Sequence, residues 1–489
     1  MHYDLLRPQI EKIVTKKPHQ FEDPRLIQPD YEDISTCVLD SPEFYLVFHS
    51  IEKLLEANYY RNYHRIYNNP SYLHDLPKDQ KLALIFTFKQ PKKLKPKQDC
   101  EVTSIAWHPL YKYLIGVGYG KMHLEKNARG MFCIWNIKNP SYPERMYNFK
   151  HPVTSFSFCK VYPYAVALTF YNGQMMIINI LARKLINMCD NTNFMKDYMQ
   201  ITHITWFKGE EGDYYPVTSS KSGDMYKFKV DNFLYPDLLL DLPRKYGETK
   251  GIEQCMRIFS GDENAKPLKI GISTFTQHPK NYLLYLVGTD DGYVHICSKW
   301  FSMKDTDVFA AHEGPITSIE FHHETDKLFL TSGNDYYVRV WAYLIYTPLM
   351  CFTTKKEIVR YAKWASFNIM QIVAMGEIYL DIWDIRRINN SVPITTYENT
   401  ERSNNLIFNV SPFGPHVLLG DEKGDVHLLI YNYTKYEPPF KMQILARALR
   451  NHVKCRDPDL WRQVEQLIPE FKVKNVKDDP IDILEESDE

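Results

Sequence analysis

Along AHEGPITSIEFHHETDKLFLTSGNDYYVRVW, Ala311 to Trp341, apolar and polar positions alternate and turn formers punctuate the alternation. Ile316, Ser318 and Glu320 fall on one side of an extended chain, and Thr317, Ile319 and Phe321 fall on the other. A polar turn leads into the apolar strand KLFLTSG, and Asn334-Asp335 turns the chain again. The pattern predicts one complete four-stranded blade over Ala311 to Trp341, with His312 just ahead of its first strand. An isolated blade has two unpaired edges and two apolar faces, so it persists only when stacked radially with others until a ring closes. One blade therefore predicts several.

The same order of alternating strand, polar turn, apolar strand, Gly or Asp turn and third strand recurs six more times. The candidates are Val102 to Gly120 with Gly130 to Ile137, Val153 to Ile180, Ile201 to Val230, Gly271 to Cys297, Ile358 to Ile385 and Asn405 to Tyr431. Asn172-Gly173, Ser222-Gly223-Asp224, Asp291-Gly292 and Lys423-Gly424-Asp425 supply their turns. The period is that of a β-propeller, except for one longer gap between the third and fourth blades. That gap, Asp231 to Lys269, reads as a long excursion joining two blades, and Lys121 to Arg129 reads as an exposed charged loop. KLALIFTF, Lys81 to Phe88, suits the outermost strand of the last blade, which would close the ring with chain from the other terminus. The expected class is all-β: a seven-bladed propeller over residues 81–432, an N-terminal extension over 1–80 and a C-terminal segment over 433–489.

Both extensions change period. From Ser41 to Tyr67, Pro42 suits a first helical turn, and Phe44, Phe48, Ile51, Leu54 and Leu55 recur at helical spacing. Such a helix either packs on the flank of the propeller or docks on a partner. Phe440 to Arg450 and Pro458 to Ile468 also read as helices, and VKNVKDDPIDILEESDE reads as an acidic, disordered tail.

Charge alters the picture only by exclusion. With 59 basic and 60 acidic residues the net charge is −1, so the chain lacks the global bias of a dedicated nucleic-acid binder. No run of about 18 apolar residues exists and the N-terminus has no secretory apolar core, so no membrane partner is expected. Nine cysteines without a CxxC pair point to reduced thiols in the cytoplasm. The 35 tyrosines suit strands and half-buried contact surfaces. His322-His323-Glu324 has metal-ligand chemistry, but adjacent residues on a turn point apart and no third ligand is spaced to join them, so a solvated turn is expected. The chain has no phosphate loop and no GxSxG elbow, and Gly118, Gly120 and Gly130 make no nucleotide site. Nothing supports catalysis or a cofactor. The basic Lys89 to Lys97 stretch, rich in proline, reads as a solvated linker.

Asp335 stands six residues before Trp341 and 23 after His312. This spacing resembles the WD40 repeat, whose buried His, Asp and Trp are linked through a Ser or Thr hydroxyl. The resemblance assigns that structural role to His312, Asp335 and Trp341, with Thr331 or Ser332 as the hydroxyl. A second resemblance is more specific. IGVGYG, which holds Gly118, Tyr119 and Gly120, and WNIKNPSYPERMY, which holds Trp135, Asn139, Pro140, Pro143 and Glu144, are similar to stretches of the dynein intermediate chain family. YLVGTDDGYVHICSKW, Tyr285 to Trp300, and the helix around IEKLLEANYY ahead of the ring add to it. The resemblance covers Val102 to Tyr431 and is strongest to the axonemal type.

What it implies is a non-catalytic intermediate chain of an axonemal dynein, scaffolding heavy-chain tails beside a second intermediate chain and attaching indirectly to the doublet microtubule of a cilium or flagellum. The other reading is a general WD40 adaptor that holds a peptide in its channel. About 40 residues precede the first helix and no TQT-like motif is present, which weighs against dynein light chains as partners, with DLLRPQI the one short stretch left as a candidate.

Overall fold

The computed structural model describes residues 41–68, 81–91, 100–121, 129–182, 184–191, 200–210, 212–230, 234–243, 250–252, 269–301, 305–354, 357–387, 392–399, 403–432 and 441–471. The basic stretch beyond residue 91, most of the Lys121 to Arg129 loop, DLLRPQI and the acidic tail lie outside them. The chain divides into two compact units, residues 1–65 and 66–489.

In the first unit, helix α1 spans Pro42–Tyr59. Ser41 caps it, its hydroxyl oxygen accepting from Phe44 N at 3.2 Å, and proline takes a first-turn position where its missing N–H costs nothing. The rings of Phe44 and Phe48 stack one turn apart at 6.0 Å. A second helix, α2, spans Arg61–Asn68 and crosses the division between units.

The second unit is a ring of seven sheets. Blade one is built from Glu101–Trp107, Leu114–Gly120, Gly130–Asn136 and Arg145–Phe149. Blade two holds Val153–Phe158, Ala165–Phe170, Met175–Asn179 and Asn187–Asp190. Blades four to six follow the same up-and-down order. The expectation for Ala311 to Trp341 needs correction. That stretch holds three strands of blade five, Ile316–Phe321, Leu328–Gly333 and Tyr337–Ala342, and the fourth is Met350–Thr353. The stretch from His312 to Trp341 thus stops one strand short of the sheet it helps to build.

The excursion expected from Asp231 to Lys269 is likewise part sheet. Leu234–Asp241 is the fourth strand of blade three, and Lys250–Gly251 pairs parallel with Asp305–Ala310 at the edge of blade four. Its mixed charge hid the strand, because the outer edge of a blade faces water on one side.

Blade seven takes its outer strand from the far end of the chain. Leu82–Phe88 runs antiparallel to Val426–Tyr431, with Leu82 opposite Tyr431 and Phe88 opposite Val426. Between blades, one joint recurs. An outer-strand phenylalanine meets a third-strand tryptophan of the next blade: Phe309 and Trp341 at 5.0 Å, Phe352 and Trp383 at 5.9 Å, Phe88 and Trp135 at 5.4 Å.

The turn between second and third strands carries a left-handed residue in several blades. Gly173, Gly223, Gly292 and Gly424 hold φ of 80°, 92°, 89° and 84°, but blade five places Tyr336 there at φ 67°. A bulky side chain in this region is strained by about 1–2 kcal/mol, against about 0.5–1 kcal/mol of extra unfolded-state freedom for glycine. Tyr336→Gly is therefore expected to raise the unfolding free energy by roughly 0.5 kcal/mol, read by urea denaturation. A loss of more than about 1 kcal/mol would show that the ring's own packing outweighs the strain.

At the C-terminus, helices α3, Lys441–Arg456, and α4, Pro458–Leu467, pack on blades five and six. Leu445, Leu449, Val453, Trp461 and Val464 enter one apolar cluster with Leu330, Met350, Phe352 and Trp383. Asp457 caps α4, accepting from Asp459 N at 2.9 Å and Leu460 N at 3.1 Å.

Candidate functional site

Blade five is fastened by a chain of buried hydrogen bonds, and donor chemistry fixes its direction. The Trp341 indole can only donate, and it does so to Thr331 Oγ1 at 2.8 Å. The Thr331 hydroxyl then spends its own proton on His312 Nε2, also at 2.8 Å. That leaves Nδ1–H to donate to Asp335 Oδ1 at 2.8 Å. Arg339, which sequence reasoning missed, donates to Asp335 Oδ2 at 2.6 Å. Its Nη1 also lies 2.7 Å from His312 Nδ1, but in this tautomer that nitrogen has no lone pair to offer. The missed signal is a charge at an inward position of the strand YVRVWA.

Burial pushes His312 below its ordinary pKa despite the neighbouring carboxylate, so the ring is neutral. Burial works against the Asp335 carboxylate, but the His312 hydrogen bond and the Arg339 charge prevail and hold it well below the usual range. Of the two hydroxyls considered, Thr331 is the fastener. Ser332 instead bonds Thr317 at 2.7 Å and Ser318 at 2.6 Å, and Ser318 donates to Ala362 O of blade six at 2.8 Å.

Other blades keep only part of this chain. Trp341 sits opposite Phe329, two residues before Thr331; by the same register Ala374 stands in the hydroxyl position for Trp383, and Val117 for Trp135. The Trp383 indole N–H has no acceptor among the described residues. Trp135 lies beside the buried Tyr119 hydroxyl, whose pKa burial raises.

The blade-one motif has two structural parts. Gly118 and Gly120 lie where blades one and two touch: a Cβ on Gly118 would meet Ser104 Oγ of its own blade at 2.4 Å and Val153 Cγ1 of blade two at 3.2 Å, and one on Gly120 would meet Pro152 Cβ at 2.9 Å. The turn from Lys138 to Glu144 is held rigid. Asn139 Oδ1 accepts from Ser141 N at 3.1 Å, Asn136 Nδ2 donates to Glu144 Oε1 at 2.5 Å, and Pro140 and Pro143 are buried. The apolar stripe of α1 belongs to the first unit, where Phe48, Ile51, Leu54 and Leu55 are exposed. Within the ring, the blade-one motif and the fastener of His312, Asp335 and Trp341 belong to different blades.

His322 corrects another expectation: it is buried, not solvated. Its Nε2 donates to Ile369 O at 3.1 Å, and Nδ1 accepts from Glu324 N and Thr325 N at 3.2 Å each. His108 and His278 close the matching turns of blades one and four, their Nδ1 atoms accepting from Tyr111 N at 3.0 Å and Asn281 N at 2.9 Å. His323 and Glu324 face solvent, and among the described residues no group of three His, Cys, Asp or Glu side chains could hold a metal ion. In blade seven, His416 Nε2 donates to Tyr67 O of α2 at 3.0 Å, and the Tyr67 hydroxyl donates to Lys112 O at 2.7 Å.

These histidines make the ring acid-labile. Burial lowers His322 and His416 to about 4, and it lowers His108 and His278 as well. The unfolded chain binds their protons near pH 6.5 while the folded ring does not, so stability falls as pH drops from about 6.5 toward 4. By pH 5.5 the expected loss is about 1–2 kcal/mol from His322 alone, read from urea midpoints at pH 7.0 and 5.5 and reduced in a His322→Gln variant.

A ring of four-stranded blades with a His–Thr–Trp chain anchored on aspartate defines a WD40-type β-propeller. The family model "WD domain, G-beta repeat" matches residues 303–342. Among curated proteins, the chain is 27% identical to mouse "Dynein axonemal intermediate chain 4" (Mus musculus) over 58% of its own length and 36% of the relative's. It is 24% identical to "Dynein intermediate chain 2, ciliary" of Heliocidaris crassispina over 78% of its length and 53% of the relative's. To mouse "Dynein axonemal intermediate chain 1" it is 23% identical over 66% and 46%. The chain is thus similar, over 58% to 78% of its length, to the axonemal type of dynein intermediate chain that the blade-one motif resembles. It spans between about a third and a half of the length of these relatives.

Proposed function

We propose that the chain is a non-catalytic intermediate chain of an axonemal dynein, a scaffold that holds heavy-chain tails beside a second intermediate chain and attaches the complex to the doublet microtubule in a cilium or flagellum. The observation that carries this reading is similarity to three ciliary or axonemal intermediate chains extending over as much as 78% of the chain. The architecture suits the task. A closed ring offers two faces of loops and a rim of outer strands, so several partners engage at once without any part of the ring having to move. Helix α1 is the proposed partner-binding element of the first unit, through Phe44, Phe48, Ile51, Leu54 and Leu55.

Affinity purification of the tagged chain from motile cilia tests the reading. Dynein heavy chains are the expected major partners, released with it from axonemes by high salt. Recovery as a free monomer, or with a ubiquitin-ligase or chromatin complex, would overturn it and favour the general adaptor.

A further inference from the structure

In an up-and-down blade, the turns from first to second and from third to fourth strand lie on one face of the ring, and the remaining connections lie on the other. Exposed apolar side chains are divided very unevenly between them. Of the large apolar residues that described loops expose, all but Tyr336 are on the first of these faces. On blades five and six that face is already occupied. Ile345 and Leu349 of one turn, and Ile369 and Met370 of another, are buried in the cluster that α3 and α4 complete. The face receives helices: the chain supplies α3 and α4 for those two blades, and at blades seven and one the end of α2 reaches it, Tyr67 lying against His416 and Tyr113.

On blades one and two the corresponding turns are HPLYKY, IKNPSYPE, CKVYPY and ILARKLI. They expose Leu110, Tyr111, Val161, Tyr162, Leu181 and Ile186, with Leu181 70% and Leu110 62% accessible. A patch of this kind on a folded ring marks a contact surface. Its charge is one-sided. Lys112, Lys138, Lys160 and Lys184 are exposed on these turns, and Glu144 is their sole acidic residue among those described, its carboxylate engaged by Asn136. Lys112 and Lys138 lie over the Tyr113 ring at 5.0 and 4.8 Å, which holds two of the four ammonium groups in place.

From this we infer that the first-to-second and third-to-fourth turns of blades one and two dock an amphipathic helix of a partner protein whose apolar stripe is flanked by Asp and Glu. The apolar residues bury the stripe, and the lysine rim selects acidic flanks and steers their approach. A bare polyanion is a poorer fit, because it would leave Leu110, Val161, Leu181 and Ile186 in water. Covered neighbours on the same face argue for a helix rather than an extended strand. The inference goes beyond the proposed function and does not need the partner to be a dynein subunit.

The test places a photo-reactive amino acid at Val161 and, separately, at Leu185 in the full chain within its complex from ciliated cells, followed by sequencing of the cross-linked peptides. Expected are peptides of another polypeptide with apolar residues at three- and four-residue spacing and an excess of Asp and Glu. Such peptides from a protein that is no dynein subunit would support the inference while overturning the proposed function. Cross-links to residues 1–65 or 472–489 of this chain, to a second copy, to a neutral or basic segment or to nucleic acid would overturn the inference, as would none. A Lys112→Glu, Lys160→Glu, Lys184→Glu variant, changed only at exposed positions, is expected to lose that partner by about tenfold or more with its melting curve unmoved. Undiminished capture by this variant would equally overturn the inference.

Discussion

Replacing Asp335 with alanine is expected to lower the unfolding free energy by about 3–5 kcal/mol, the range for removing one partner of a buried ion pair. The side chains of Asp335 and Arg339 are 5% and 6% exposed, so the guanidinium would remain out of water with no carboxylate beside it. His312 would lose the acceptor for its Nδ1 proton, and its orientation toward Thr331 would then rest on one hydrogen bond. Asp335→Asn separates the two contributions, because it keeps an acceptor for the imidazole but presents Arg339 with no charge. About 1–3 kcal/mol is expected from it. Adding Arg339→Met to Asp335→Ala should recover at least 1 kcal/mol or so, since the stranded charge is then gone. Urea denaturation of the four proteins reads all of this, and a cost below about 1 kcal/mol for Asp335→Ala would show that the fastener adds little.

The legibility of this fastener in the sequence was uneven for physical reasons. His312, Asp335 and Trp341 stand at fixed spacing because strands and turns of a blade have nearly fixed lengths, so a linear pattern records a contact in space. Arg339 belongs to the same cluster, but an arginine in a strand is ordinarily a solvent-facing residue, and only register shows that it points inward. The seven blades and the closing strand were visible because alternation and turn glycines are local properties. The fourth strand of blade three was not. LYPDLLLD is interrupted by Pro236 and Asp237, ends on Asp241 and pairs on one side only, so its apolar run resembles a linker until its partner strand, Asp224–Val230, is known. His322 was misjudged for a related reason: its neighbours His323 and Glu324 are polar and exposed, whereas its own ring turns back to cap the loop. No stretch of sequence announces the basic, apolar face of blades one and two, because its four turns are spread over about 80 residues and meet only once the ring has formed.

Phe88→Ala is expected to open the ring at its seam. Six blades are continuous in sequence, but the seventh borrows Leu82–Phe88 from ahead of blade one. Phe88 is 1% exposed and packs on Trp135 as Phe309 packs on Trp341, so either alanine substitution should cost about 3–5 kcal/mol by lost burial and the cavity left behind. The consequences should differ in place. At the Phe309 joint, blade four is built from one continuous run of chain and stays hydrogen-bonded around the defect. At the seam, the aromatic contact is seconded by the strand ladder, by Gln90 N donating to Asp425 Oδ1 at 2.9 Å, by Thr87 Oγ1 lying 3.2 Å from His427 Nδ1 and by Asn432 N donating to Lys81 O at 2.7 Å. With Phe88 gone, the closing strand can detach locally and bare the edge of Val426–Tyr431, a template for pairing with other chains. Hydrogen exchange should therefore accelerate selectively in Leu82–Phe88 and Val426–Tyr431 for Phe88→Ala, with a rise in aggregation on mild heating. Equal exchange at the seam in the Phe88 and Phe309 variants would mean that the ring yields as one cooperative unit and has no preferred point of opening.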